Sequence, residues 1–550
     1  MAMTGESGND PRLSGDQFAR LTAYGVAQDV RIRDVVFRPG DPSYDLIAIE
    51  TGWIEIVSPA ARDESEAVVA TYGPGGFLGE LSLLTGQTAY LTARVTEAGR
   101  IHRISHESFR RLMADDPEIS DILLRTFLVR RDLLRDSQAA RGIEILGSGL
   151  SAEALALRTY AARQRLPHLW LDADSMAGRA LMRLTPLAAA DLPAVVTPQR
   201  VLRRATPGQL AAVLGLSYHR AGKVADLTIV GAGPAGLAAA VYAASEGLDT
   251  LLFDAIGIGG QAASSSRIEN YPGFPSGLSG HDLTQRAALQ ALKFGAVLSS
   301  PSQATGLDTT TQHLQVVLVD GTAVSSRAIL IATGSHYRVL ALPRWSEFEG
   351  AGIYYAATEL EARACGTGPV TVIGGANSAG QAALFLAARG NHVTLVIRGP
   401  DPATGMSAYL LDRLRAHPGV TVRPHTEVTV LAGETALEAI TVTDTASPEG
   451  AEQACRGLFC FIGAEPATGW LQGISLDTEG YIRTDVQLAP DTLGPTWRAL
   501  DRAPFPFETS VPAVFAAGDV RRGSMKRVAA SVGEGASAVR SVHSAIGMRL

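Results

Sequence analysis

Three hydrophobic patterns follow one another along the chain. From residue 15 to about 105, short runs alternate apolar and polar positions: Val35 to Phe37, Leu46 to Ile49, Trp53 to Val57, Ala67 to Ala70 and Ala93 to Val95. Turn residues separate them at Arg38-Pro39-Gly40-Asp41, Glu50-Thr51-Gly52 and Gly73-Pro74-Gly75-Gly76. Many short, evenly spaced strands predict a barrel or jelly roll. Helical stretches follow at Ser105 to Met113 and Ile119 to Leu134. The second pattern covers residues 139–218. It reads β-α-β-α-β-β-α, from the strand Ile143 to Leu146 through the helix Ala152 to Gln164 to a last helix at Pro207 to Leu214. Ser217 to Val224 reads as a short linker. In the third pattern the apolar runs become continuous and alternate with helices rich in small residues. Leu227 to Val230 and Leu251 to Phe253 flank Leu237 to Ala244; Pro369 to Ile373 and Val393 to Ile397 flank Gln381 to Arg389. Such runs predict parallel strands buried on both faces. The fold class is multidomain α/β with an N-terminal β-barrel.

Glycines decide what the third pattern is for. Gly231, Gly233 and Gly236 form Gly-x-Gly-x-x-Gly directly after a strand, with Pro234 and Ala235 opening the helix. Asp254 closes the next strand 18 residues past Gly236. The first glycine permits the tight turn, the second lets the backbone approach a pyrophosphate, and the third lets the helix pack close to the strand. The helix N-terminus then offers free N–H groups to phosphate, and the acid can accept from a ribose hydroxyl. A second unit of this kind, Gly374-Gly375-Ala376-Asn377-Ser378-Ala379, is nested downstream. Its second strand ends in Arg398 instead of an acid, which favours a 2′-phosphate, hence NADPH over NADH. Its middle glycine is Ala376, whose methyl would crowd a close pyrophosphate.

Composition adds exclusions. The 550 residues suit three to four domains. A net charge of −7 with no basic block gives no reason to expect nucleic acid or an anionic membrane surface. No apolar run is long enough to span a bilayer, and the first residues lack an apolar signal core, so a cytoplasmic protein is expected. The three cysteines, Cys365, Cys455 and Cys460, form neither a C-x-x-C pair nor a disulfide framework, and read as buried structural thiols. No metal site is expected.

Gly76 to Leu84 resembles the phosphate-binding cassette of cyclic nucleotide-binding domains, with Gly79 and Glu80 matching. The family's phosphate-binding Arg should stand about ten residues after the Glu, and Tyr90 stands there. The resemblance implies the barrel for residues 1–138. Cyclic nucleotide binding stays open beside the favoured reading, a regulatory or dimerising barrel with a decayed pocket. Residues 139–218 resemble the thioredoxin/glutaredoxin fold, with Pro193 at that family's cis-proline position and Ser148-x-x-Ser151 where it carries C-x-x-C. Serine cannot cycle through a disulfide, so this unit is expected to be redox-dead.

Four ordered motifs carry the main resemblance: the Gly231 fingerprint, Gly257 to Gln261 with Ser266 to Pro275, Ile331 to Gly334, and Phe515 to Val520. Together they resemble the low-molecular-weight thioredoxin reductase flavoproteins. The resemblance implies an FAD domain over 225–345 and 466–550, and an NAD(P)H domain over 346–465. FAD would lie on Gly231 to Gly236 and Asp254, with Gly260, Gln261 and Asn270 near its ring. Ala332, Thr333, Gly334, Gly518, Asp519 and Val528 would complete that site. NADPH would use Gly374, Gly375, Asn377, Ser378, Ala379 and Arg398, and Gly463 would return the chain to the FAD domain. The resemblance also implies a homodimer and rotation of the NADPH domain between two poses.

One departure changes the chemistry. Where that family carries C-A-T-C, this chain has Ala356-Ala357-Thr358-Glu359. Electrons must then leave the flavin directly, to a ferredoxin- or flavodoxin-type protein, a quinone or another small molecule. Tyr355 is a candidate to shield the ring, and Glu359 a candidate proton donor, each against a plain packing or surface role. The competing class is an FAD-bearing sensor or scaffold with little turnover.

Overall fold

The computed structural model describes residues 3–4, 13–41, 45–58, 66–79, 82–85, 88–89, 91–136, 143–149, 151–197, 200–218, 222–265, 268, 270–447, 450–489 and 493–547. Among them, the N-terminal unit is a seven-stranded sheet built around two long strands, Leu46–Ser58 and Thr92–Ile104, paired antiparallel. The turn expected at Glu50-Thr51-Gly52 is absent. The strand runs through it, and register shifts at Ile49/Thr51 and Thr51/Trp53 absorb the extra residues. Gly52, at φ +89°, makes this feasible: a side-chain carbon there would lie 2.7 Å from the Glu97 carbonyl oxygen. Helices His106–Asp115 and Pro117–Asp136 close the barrel. Its core also takes in Leu289 and Leu292 from helix Gly280–Lys293, more than 150 residues further on.

The second unit has the expected element order. Its four strands lie in the order 201–202, 194–196, 144–147, 169–172, with the last two parallel and 194–196 antiparallel to 144–147. The helix Ala152–Arg163 packs Ala154, Leu157 and Ala161 inward.

The third unit holds the largest core. Parallel strands Ala225–Val230, Thr250–Phe253, Val297–Ser299, Ala323–Ile331 and Val514–Ala516 form one sheet, extended by the antiparallel Leu314–Leu318 and Ala304–Asp308. Helices Pro234–Ser245 and Val528–Gly547 cross so closely that a side-chain carbon on Gly535 would stand 2.0 Å from the Ala235 carbonyl oxygen. The inserted unit is a five-stranded parallel sheet with a three-stranded antiparallel meander, 426–432, 439–444 and 450–454. The chain crosses between these two units as a ladder of Ser335–Tyr337 with Ala464–Pro466. The inserted unit therefore begins near residue 338 instead of 346, because Leu340, Leu342 and Trp345 pack in its core. Among the described residues, no helix is long and apolar enough to cross a membrane.

Candidate functional site

The strands ending at Val230, Ile331 and Ala516 leave their carboxyl ends side by side, and a cleft opens there. This is where open α/β sheets hold ligands. Gly231, at φ +109°, makes the first turn; a side-chain carbon on it would lie 2.3 Å from the Ala332 carbonyl oxygen. One on Gly236 would lie 1.8 Å from the Gly231 carbonyl oxygen. Gly233 caps helix 234–245, and a side-chain carbon there would meet nothing within 4 Å, so the cleft is open above it.

The cleft gathers Gly231, Gly233, Pro234, Ala235, Asp254, Gly260, Gln261, Ala332, Thr333, Gly334, Gly518, Asp519 and Val528 from the sequence-derived set. Gln261 donates to the Ser335 carbonyl oxygen, and Thr333 donates from its hydroxyl to the Ala467 carbonyl at 2.9 Å. The Asp254 carboxylate is already engaged: it accepts from the backbone N–H groups of Ala232 (2.8 Å), Ile256 (2.9 Å) and Gly257 (2.8 Å). Its first task is to hold its own turn, with little capacity left for a ribose. Asp519 is the opposite case. Burial raises its pKa, and its one hydrogen bond among the described residues is a long one from Ser531, 3.3 Å. Asn270 is exposed and does not line the cleft.

From the inserted unit, Tyr355, Ala356, Ser378, Gln381 and Phe461 line the same cleft, so the start of the second fingerprint's helix reaches it. Gly374, Gly375, Asn377, Ala379, Arg398 and Gly463 stand back from it. Gly374, at φ +145°, turns the strand into helix Asn377–Ala387, and Ala376 is that helix's N-cap. The Asn377 side-chain oxygen Oδ1 accepts from the Ser407 N–H at 2.8 Å, tying the turn to its neighbour. Arg398 is exposed at the end of strand 393–396, with no ion pair among the described residues. Gly463, at φ +100°, accepts from the Arg338 N–H at 2.9 Å beside the crossing ladder.

The two catalytic candidates part company. Tyr355 lines the cleft, its ring stacked on Tyr337 at 5.5 Å and 3°. Its hydroxyl accepts from the Trp345 indole (2.9 Å) and donates to Glu349. Glu359 takes the surface role and not that of a proton donor: it starts helix Glu359–Cys365, pairs with Arg389, is 57% exposed and does not line the cleft. The Arg389 hydrogen bond lowers its pKa, which keeps it ionised and unsuited to donating a proton. Tyr337, Lys526 and Arg527 also line the cleft and were missed. The Lys-Arg pair directly before Val528 was a readable signal; nothing local marks Tyr337.

The three cysteines are buried and free. Burial pushes their thiols up, to about 12 for Cys365 and Cys460 and about 11 for Cys455. None lines the cleft. Thiolate is the reactive form, so Ellman's reagent at pH 8 is expected to find no fast thiol in the native protein and all three after unfolding. A fast native thiol would contradict the burial.

Comparison with known proteins agrees with this geometry. The model of the pyridine nucleotide-disulphide oxidoreductase family matches residues 225–535, over half of the chain. The chain belongs to that family. It is a thioredoxin reductase-like, NAD(P)H-dependent FAD oxidoreductase, and its cofactors are FAD and NADPH. The cyclic nucleotide-binding domain model matches residues 28–116. The cassette residues Glu80 and Tyr90 lie outside the described residues. The thioredoxin reductase of Treponema pallidum is 33% identical over 329 residues, 58% of this chain and 97% of its own length. That of Streptomyces clavuligerus is 33% identical over 317 residues, 57% of this chain and 92% of its own. The solved thioredoxin reductase of T. acidophilum is 27% identical, with a TM-score of 0.51 over 58% of this chain and 98% of that one.

The cleft fits FAD in this family on two counts. The space above Gly233 admits a pyrophosphate to the helix N-terminus. Asp519 is a half-buried carboxylate with one long hydrogen bond among the described residues, and a hydroxylated ribityl chain would supply further donors.

Proposed function

We propose that electrons pass from NADPH through FAD directly to an acceptor other than a C-x-x-C dithiol: a ferredoxin- or flavodoxin-type protein, a quinone or another small molecule. One observation carries this. The cleft lined by residues of both nucleotide units has Ala356 where the relay's first cysteine would stand, and no cysteine lines it. Glu359, at the second position, is turned to Arg389. Bound FAD would supply hydride acceptance from NADPH and one- or two-electron release.

The chain's own residues would do the rest. Gly231 to Gly236 and Asp519 would hold FAD, with Asp254 keeping the turn in shape. Ser378 at the start of helix 377–387 would face the NADPH pyrophosphate, and Arg398 its 2′-phosphate. Tyr337 and Tyr355 would wall the cleft against water as neutral phenols; burial pushes the Tyr337 hydroxyl to about 12 and the Tyr355 hydroxyl up as well. The same reading takes residues 139–218 as a thioredoxin-like unit without thiols, the assembly as a homodimer, and the location as cytoplasmic.

The test is anaerobic. On adding NADPH, the 450 nm flavin band of the yellow protein should bleach within seconds, and a quinone should restore it. A flavin that stays oxidised under excess NADPH and NADH would leave the sensor or scaffold reading. Reoxidation by a thioredoxin disulfide at a rate comparable to the quinone would defeat the dithiol-free route.

A further inference from the structure

The second unit, residues 143–218, has no thiol chemistry to perform. Ser151 is spent as a helix cap, accepting from the Ala154 N–H at 3.2 Å. Its placement gives it another task. Helix Ala152–Arg163 lies across the seam between the FAD and NADPH units and touches both.

Its first half faces the NADPH unit. Ala152 abuts Gly350, where a side-chain carbon would lie 2.9 Å from the Ala152 Cα and Cβ. Leu155 packs on the core that contains Tyr354, Cys365 and Phe459. The Arg158 guanidinium lies 4.4 Å over the Trp170 ring, with Glu361 of the NADPH unit among the charges that act on it. Its second half faces the FAD unit. The Tyr160 hydroxyl donates to the Ser300 carbonyl at 3.2 Å, and Gln285 donates to the Arg163 carbonyl at 2.6 Å. The Arg163 stem would lie 3.2 Å from a side chain on Gly257, in the loop that leads to Gly260 and Gln261. Just past the helix, Arg165 meets Asp282 at 3.6 Å. At 100° per residue, Leu155 and Tyr160 point about 140° apart, so one helix serves two walls.

Across that seam the covalent links are only the two strands of the 335–337/464–466 ladder. Two crossings placed side by side make a hinge. The family model matches residues 225–535, so helix 152–163 lies outside the matched segment.

We infer that helix 152–163 is a clamp. It fixes the NADPH unit against the FAD unit in the pose seen here, with Ser378 and Gln381 on the cleft that the first fingerprint lines, and electron transfer proceeds without rotation about the ladder. The inference rests on the dithiol-free route proposed above, since no thiol pair has to be swung to the flavin.

The test uses two full-length variants. Ala152→Cys with Gly350→Cys places two thiols within disulfide reach after a small shift, and the native cysteines are buried. The pinned, oxidised protein should reduce its flavin with NADPH within twofold of the same protein treated with dithiothreitol. A tenfold slowing on pinning, reversed by dithiothreitol, overturns the clamp. If the disulfide does not form, as the strain of a side chain at Gly350 (φ +79°) can itself cause, the Leu155→Glu exchange decides. Leu155→Glu should loosen the seam, with hydrogen exchange in 335–337 and 464–466 at least tenfold faster at unchanged FAD content. Unchanged exchange also overturns it. If neither redox form of the pinned protein reduces its flavin, the electron-transfer reading fails, and the Leu155→Glu exchange still decides the clamp.

Discussion

A Gly236→Ala protein is expected to purify colourless. The added carbon would sit 1.8 Å from the Gly231 carbonyl oxygen, far inside contact distance. The helix cannot withdraw, because helix 528–547 lies against its other side with Gly535 only 2.0 Å from the Ala235 oxygen in the same sense. Either the fingerprint turn opens or the two helices part. Overpacking of this kind typically costs about 1–3 kcal/mol, and here it falls on the turn that would present the pyrophosphate site. Each 1.4 kcal/mol or so transferred to binding is a tenfold loss, so FAD affinity should drop on the order of 100-fold. Gly233→Val is the informative partner. A side chain there meets no protein atom within 4 Å, so the apoprotein should unfold at an unchanged temperature and still lose flavin. The 450 nm absorbance per protein and the melting temperature separate the two effects. A Gly236→Ala protein with full flavin would show that the close packing is not needed for the site.

Arg398→Glu should exchange the coenzyme preference. The residue is exposed at the end of its strand, with no ion-pair partner among the described residues, so its removal should not unfold anything. A charge-assisted hydrogen bond to a 2′-phosphate contributes about 1.5–3 kcal/mol, and a carboxylate adds repulsion. The kcat/KM for NADPH should therefore fall on the order of 100-fold, while that for NADH changes less than about threefold. Equal losses with both coenzymes would mean that Arg398 does not meet the 2′-phosphate.

The cleft was legible where chemistry is written in consecutive residues. Gly231, Gly233 and Gly236 announce a strand, a turn and a helix because the geometry needs glycine at those three positions within six residues. Ala356 and Glu359 stand where the family this chain resembles carries two cysteines, and that too is read within four consecutive residues. Legibility failed where a residue had a nearer partner than the expected one. Asp254 looked like a ribose acceptor, yet three backbone N–H groups of its own loop reach it first. Glu359 read as a helix-start surface carboxylate or a proton donor, and its pairing with Arg389 leaves the surface role. The strand through Gly52 read as two strands because glycine marks a turn and a bulge alike.

By itself, then, the sequence determined the order of the units, the parallel sheets, the two fingerprints and the absence of a dithiol. These follow from hydrophobic period and from backbone demands met within a few residues. Only the tertiary structure decided that residues of both nucleotide units line one cleft, that Tyr337 stacks on Tyr355 to wall it, and that helix 152–163 touches both units. Those are contacts between surfaces, many of them between residues a hundred or more positions apart. Their energy lies in shape and burial that no local pattern encodes.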